Sequence, residues 1–220
     1  MNIALKNTKD IKEVSDFIAS SILKQLDLDK KVLFFIAGGS SVSVAVAVAN
    51  NLKKDLLSNL VVVLTDERYG EVSHKDSNFF QLIEKGFDIP QAKIIPVLNN
   101  DDKIITVEKF SKILGQELKK SDYKIALFGI GADGHVAGIL PYSGAVYSED
   151  LVYGYDTPTF SRITITPKVI KDLDEAIVWA QGENKWEALE NLEKDIDINL
   201  APAQILKKVP LLTIFTDYKN

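Results

Sequence analysis

The sequence predicts one α/β domain over residues 1–220, a doubly wound, mostly parallel sheet with helices on both faces. Three observations predict it. Short apolar runs recur along the chain, most of them continuous rather than alternating, as strands covered on both faces require. Segments with apolar residues at three- and four-residue spacing lie between them. Glycine-dense turns follow several of the runs, where such a sheet makes its strand-to-helix connections.

The first periodic segment, residues 9–28, carries Ile11, Val14, Ile18, Ile22 and Leu26 and reads as an amphipathic helix, with Asp10 and Glu13 placed as a capping box. Val32–Ala37 reads as a buried strand. Ser41–Ala49 fits two periods. Its alternation suggests a strand, whereas Val44, Val48 and Leu52 with Ala45 and Ala49 suit a helix. The strand before it and the Gly38-Gly-Ser-Ser41 turn favour a strand–loop–helix unit. Leu60–Leu64 is a second strand and Ile94–Ile95 a short third. Ile104, Val107, Phe110, Ile113, Leu114 and Leu118 make a helical stripe before the fourth strand, Ile125–Phe128. Residues 142–162, rich in Tyr, Ser, Gly and Asp, read as a loop or irregular hairpin. Thr166-Pro167 places an N-cap before a first-turn proline and opens a helix through Leu173. Strand Ala176–Ala180, a helix from Glu183 to Glu193 bearing Trp186, Leu189 and Leu192, and strand Leu211–Phe215 close the pattern.

Composition narrows the function. The net charge of -5 gives no general attraction to nucleic acid or to an anionic membrane, so an anionic ligand needs a local cluster of cations. The absence of Cys excludes disulfides, thiolate chemistry and a Cys-based zinc site. No apolar run reaches membrane-spanning length, and Met1–Asn7 lacks the basic-then-apolar order of a signal peptide. The expectation is a cytoplasmic protein, monomer or small homo-oligomer, acting on a small molecule.

The stretch richest in chemistry is Gly129-Ile-Gly-Ala-Asp-Gly-His135, directly after a strand. Its glycines let backbone approach a ligand, Asp133 offers a carboxylate, and His135 is a candidate proton shuttle near neutral pH. Its Gly-x-Gly-x-x-Gly spacing matches the dinucleotide fingerprint literally. Asp133 would repel a pyrophosphate, however, and Pro141 interrupts any helix seven residues after Gly134. Gly38, Gly39, Ser40 and Ser41, between a strand and a helix, offer N–H groups and hydroxyls to a phosphate, or form a simple Ser-capped turn. Asp66-Glu-Arg68 follows the second strand, as a solvated loop or as part of a site. Strand ends of a parallel sheet share one rim, so these three segments converge. Arg162 and Lys185 are further cations in reach. His74 reads as an exposed loop residue.

Assembled, these residues resemble the 6-phosphogluconolactonase family, within the wider glucosamine-6-phosphate deaminase/lactonase superfamily, over nearly the whole chain. The resemblance rests on Gly38-Gly-Ser40, on Asp66-Glu-Arg68 with Asp76-Ser-Asn78, and on the Gly129–His135 loop with Ala137 and Pro141. Arg162-Ile-Thr-Ile-Thr166, Gly182-Glu-Asn-Lys185 and Ala201-Pro-Ala203 extend it. Deaminases carry Glu where this chain has Leu140, and commonly Tyr where it has Arg68, so the lactonase branch is favoured. Gly138 stands where the family usually has Ser. The resemblance implies hydrolysis of 6-phospho-D-glucono-1,5-lactone without metal or cofactor. It makes His135 the base and either Asp133 or Asp66 its orienting carboxylate. Arg68 or loop N–H groups would stabilise the oxyanion, and Gly39, Ser40 and Ser41 with Arg162 and Lys185 would hold the phosphate.

Overall fold

The computed structural model describes residues 2–52 and 54–218; Met1, Lys53, Lys219 and Asn220, which the 1–220 domain span includes, lie outside them. In chain order the regular elements are β1 (Asn2–Asn7), α1 (Ile11–Leu26), β2 (Val32–Ile36), α2 (Val42–Asn51), β3 (Leu60–Leu64), β4 (Asp66–Arg68), α3 (Asn78–Glu84) and β5 (Lys93–Ile95). They continue with α4 (Lys103–Lys120), β6 (Tyr123–Phe128), β7 (Val152–Asp156), β8 (Ser161–Ile165), α5 (Pro167–Lys171), β9 (Glu175–Ala180), α6 (Trp186–Glu193) and β10 (Leu211–Thr216).

Seven strands form the main sheet, in the order β1-β10-β9-β6-β2-β3-β5, and every neighbouring pair is parallel. The expected α/β class holds. All residues of β2 and β9 are buried, and successive side chains point to opposite faces, so both faces of the sheet centre are covered. From β2 the chain proceeds outward through β3 and β5, then returns to β6 on the other side of β2. The β2/β6 boundary is therefore a topological switch point, the place where open α/β sheets bind ligands beyond their strand ends. The segments leaving β2 and β6 there are Ala37–Ser41 and Gly129–His135.

A second sheet was not foreseen. β4, β8 and β7 form a three-stranded antiparallel layer, in which Asp66 faces Thr164 and Arg68 faces Arg162. Asp66-Glu-Arg68 is thus a short strand rather than a solvated loop, and the 142–162 region contains a hairpin. The edge strand β1 was also missed, because Asn2–Asn7 is short and mixes polar with apolar residues.

Local details refine the helices. Ser41–Ala49 resolves in favour of the helix: α2 begins at Val42 after a turn of 3-10 helix, Gly39–Ser41, and packs on α1. At α1 Asp10 is the N-cap, but the capping box with Glu13 does not form among the described residues. Asp10 Oδ1 accepts from the Lys12 N–H at 2.8 Å, but the N–H of Asp10 donates to Thr8 Oγ1 rather than to Glu13. In α4, Phe110 and Leu114 are buried while Ile104 is 70% exposed, so the apolar stripe exceeds the face that packs. Thr166 does not cap α5 with its side chain; its hydroxyl donates to the Asp150 carbonyl at 2.5 Å, and the helix stops at Lys171.

Candidate active site

At the switch point lies a cleft of about 320 Å³, at the lower end of the sizes that hold small molecules. One wall is the turn after β2. Gly39 adopts a positive φ of 62°, a conformation that costs other residues energy. Gly38 leaves no space for a side chain, since a Cβ there would stand 2.4 Å from the Asn78 amide. Ser40 lines the cleft and its hydroxyl accepts from Lys185 Nζ at 3.2 Å. Ser41 is fully buried beneath this turn, and its hydroxyl lacks a hydrogen-bond partner among the described residues. Partial burial pulls the Lys185 ammonium below its ordinary pKa.

The opposite wall is the loop after β6. His135 Nδ1 donates to Asp133 Oδ1 at 2.5 Å, and the His135 backbone N–H reaches the same oxygen at 3.2 Å. The hydrogen bond from the imidazole holds the Asp133 carboxyl below its usual value. Gly131 admits this arrangement, since a Cβ there would stand 2.1 Å from His135 Nδ1. With Nδ1 tied to a carboxylate as donor, Nε2 keeps the free lone pair. Asp133 itself lies outside the lining of the cleft. Asp66 lines it but makes no hydrogen bond to His135 among the described residues. Its carboxylate accepts from Thr65 Oγ1 at 2.8 Å and from Asn78 Nδ2 at 3.3 Å.

The third side comes from the small sheet, which presents Arg68 and Arg162 to the cleft. Glu67 fastens β4 to the start of α3. Its carboxylate accepts from the N–H groups of Arg68 (2.7 Å), Asn78 (2.6 Å) and Phe79 (3.0 Å) and from Ser77 Oγ (2.9 Å). Burial nevertheless raises its pKa. Asn78 lines the cleft and donates to the Asp66 carbonyl at 3.0 Å; sequence reasoning placed it in a motif but gave it no role. His74 is not a free loop residue: its Nε2 contacts the Arg68 carbonyl at 2.9 Å.

Gly138, the departure from the resembling pattern, sits where a Cβ would lie 2.9 Å from Thr164 Cβ and 3.1 Å from Asp66 Cβ. Its N–H donates to Thr164 Oγ1 at 3.0 Å and its carbonyl accepts from Tyr155 at 2.6 Å. Among the described residues, no group of three or more His, Cys, Asp or Glu side chains could hold a metal ion. No helix among them is long and apolar enough to cross a membrane.

Residues 6–213 match the model of the family described as glucosamine-6-phosphate isomerases/6-phosphogluconolactonase, and the chain belongs to that family. It is 29% identical to the 6-phosphogluconolactonase of Borreliella burgdorferi, over 89% of this chain and 87% of that protein. Its fold matches the crystal structure of 6-phosphogluconolactonase from Thermotoga maritima with a TM-score of 0.81 at 22% identity, covering 98% of this chain and 99% of that one. A 6-phosphogluconolactonase from Shewanella baltica superposes with the same score at 20% identity, over 98% of each chain.

Proposed function

We propose that this family member hydrolyses 6-phospho-D-glucono-1,5-lactone to 6-phosphogluconate. The observation that carries the reading is the Asp133–His135 pair, set at the edge of a cleft whose other sides present Lys185, Arg68 and Arg162. The names of the relatives point the same way.

In this reading His135 Nε2 removes a proton from water as the water oxygen bonds to the lactone carbonyl carbon. Charge moves to the carbonyl oxygen, where the loop N–H groups meet it. The tetrahedral intermediate then collapses. Its bond from C1 to the ring oxygen breaks, and the imidazolium returns the proton to that oxygen. Asp133 holds the imidazole in the tautomer that leaves Nε2 free and stabilises the cation formed in passing. The phosphate rests on the turn at Gly39 and Ser40, ahead of α2 and above the buried Ser41, with Lys185, Arg68 and Arg162 supplying charge. Held at that end, the lactone presents its carbonyl to the base. Leu140 cannot move a proton, which favours the lactone over an amino-sugar phosphate.

The test is NMR of the lactone, generated in situ, with the spontaneous opening subtracted. Acceleration lost in His135→Ala supports both reaction and base. Ammonia release from glucosamine 6-phosphate, with no effect on the lactone, would overturn the reading.

A further inference from the structure

Arg68 and Arg162 are direct register partners on antiparallel strands, so the fold sets two cations side by side at the cleft. Like charges directly opposite one another are unfavourable in a sheet. Among the described residues no carboxylate lies within 4.0 Å of either guanidinium. Arg68 Nη1 donates to the Asp76 carbonyl at 3.1 Å, while both Nε atoms are buried without a partner among the described residues. What both guanidiniums do face is the ring of Phe160, whose centroid is 4.7 Å from Arg68 Cζ and 5.8 Å from Arg162 Cζ. An aromatic face attracts cations through its quadrupole.

Phe160 does not line the cleft. It sits at the end of the β7–β8 turn, where its backbone is fixed three times by Thr157. The Thr157 N–H and hydroxyl both donate to the Phe160 carbonyl, each at 2.8 Å, and the Phe160 N–H donates back to the hydroxyl at 3.0 Å. The ring's place is thereby set from outside the site.

We propose that Phe160 is a positioning residue that holds the Arg68–Arg162 pair ready for a doubly charged phosphate. A carboxylate in its place would hold the guanidiniums equally well but cancel part of their charge. A ring has no net charge, so it steadies the cations and leaves their attraction for a dianion intact. The proposal rests on reading the cleft as a phosphate site.

The experiment compares wild type, Phe160→Leu and Phe160→Tyr as full chains. Inorganic phosphate is titrated calorimetrically, and kcat and KM are measured on the lactone. Phe160→Leu, which keeps apolar bulk but loses the π face, is expected to weaken phosphate binding and raise KM about tenfold, as loss of a cation–π contact implies. Its kcat should stay within about twofold, because the chemical step is untouched, and Phe160→Tyr should restore KM. If Phe160→Leu does not fold, stepwise fluorination of the ring at position 160 should weaken phosphate binding progressively at nearly constant size. Unchanged phosphate affinity and KM in Phe160→Leu would overturn the role of Phe160 while leaving the lactonase reading intact. Phosphate binding that depends on Phe160 in a protein inert toward the lactone would sustain the proposal and overturn the reaction. A wild type that binds no phosphate overturns the proposal, while its rate on the lactone decides the reaction separately.

Discussion

The loop after β6 and the small antiparallel sheet face the same cleft, yet only on the loop is the functional side chain paired with a carboxylate. On the loop, His135 is paired with Asp133 two residues away, and the loop backbone assists the pair. On the sheet, Arg68 and Arg162 stand opposite each other against an aromatic ring, and among the described residues neither forms an ion pair with a carboxylate. A general base needs a fixed tautomer before substrate arrives, so its partner must be built in. An anion-binding cation needs the reverse, because a carboxylate paired with it would compete with the ligand. The difference separates a wall for chemistry from a wall for binding, and substitutions on the two should separate kcat from KM.

The largest effect is expected at His135. His135→Ala should lower kcat by about 10²–10⁴, the usual contribution of general acid–base catalysis, while KM moves little. A comparable rise in KM would erase the distinction between the walls. Next is Arg162→Ala, which removes a charge-assisted contact worth about 1.5–3 kcal/mol; KM should rise about 10- to 100-fold with kcat nearly kept. Initial rates over a range of lactone concentrations decide both.

Asp133→Asn should act on the same side as His135 but more weakly, because the Asp133 side chain is 52% exposed and solvent screens it. A fall in kcat of about tenfold is expected, one lost hydrogen bond to a charged group. The sign of its pH dependence follows from the depressed carboxyl. The pair's contribution to stability is complete above the ordinary carboxylate pKa and is lost as pH falls through the lowered one. Thermal melts of wild type and Asp133→Asn should therefore converge in acid and separate toward neutrality. Parallel curves throughout would mean that the carboxylate does not engage His135 in solution.

How much of this was readable in the chain follows the same physics. The strands of the main sheet are legible because burial on both faces writes continuous apolar runs, as in Val32–Ile36. β4 has the opposite signature: three charged residues, of which Asp66 and Glu67 are nonetheless buried. Their burial is tolerated because donors arrive from Thr65 beside Asp66 and from α3, eleven or twelve residues from Glu67, and no local pattern announces that. The His135–Asp133 pair was legible because both partners lie in one loop, and the structure brings Asp133 rather than Asp66 to the imidazole. The grouping of Arg162 with Arg68 was not, since it depends on the register of a hairpin whose residues 142–162 show no clear period. Phe160 carried no sequence signal at all, for an isolated aromatic in a polar turn looks like any surface residue.

Lys185 offers the smallest effect and one that runs against function. It lies on the binding side, partly buried, with Ser40 Oγ as its hydrogen-bond partner, and desolvation lowers its pKa. A lysine whose folded pKa lies below its unfolded value costs stability in full below the lowered pKa, and that cost fades as pH rises from the lowered pKa to the ordinary one. Lys185→Met keeps the length of the side chain and removes the charge. It should raise the melting temperature of the ligand-free protein at neutral pH, by no more than about 2 °C for a chain of this size, and the gain should shrink in alkali. The same substitution should weaken phosphate binding, so added phosphate, which stabilises wild type in proportion to its occupancy, should reverse the order of the two melting curves. Order unchanged by phosphate would place Lys185 outside the anion site and leave the binding wall to the two arginines alone.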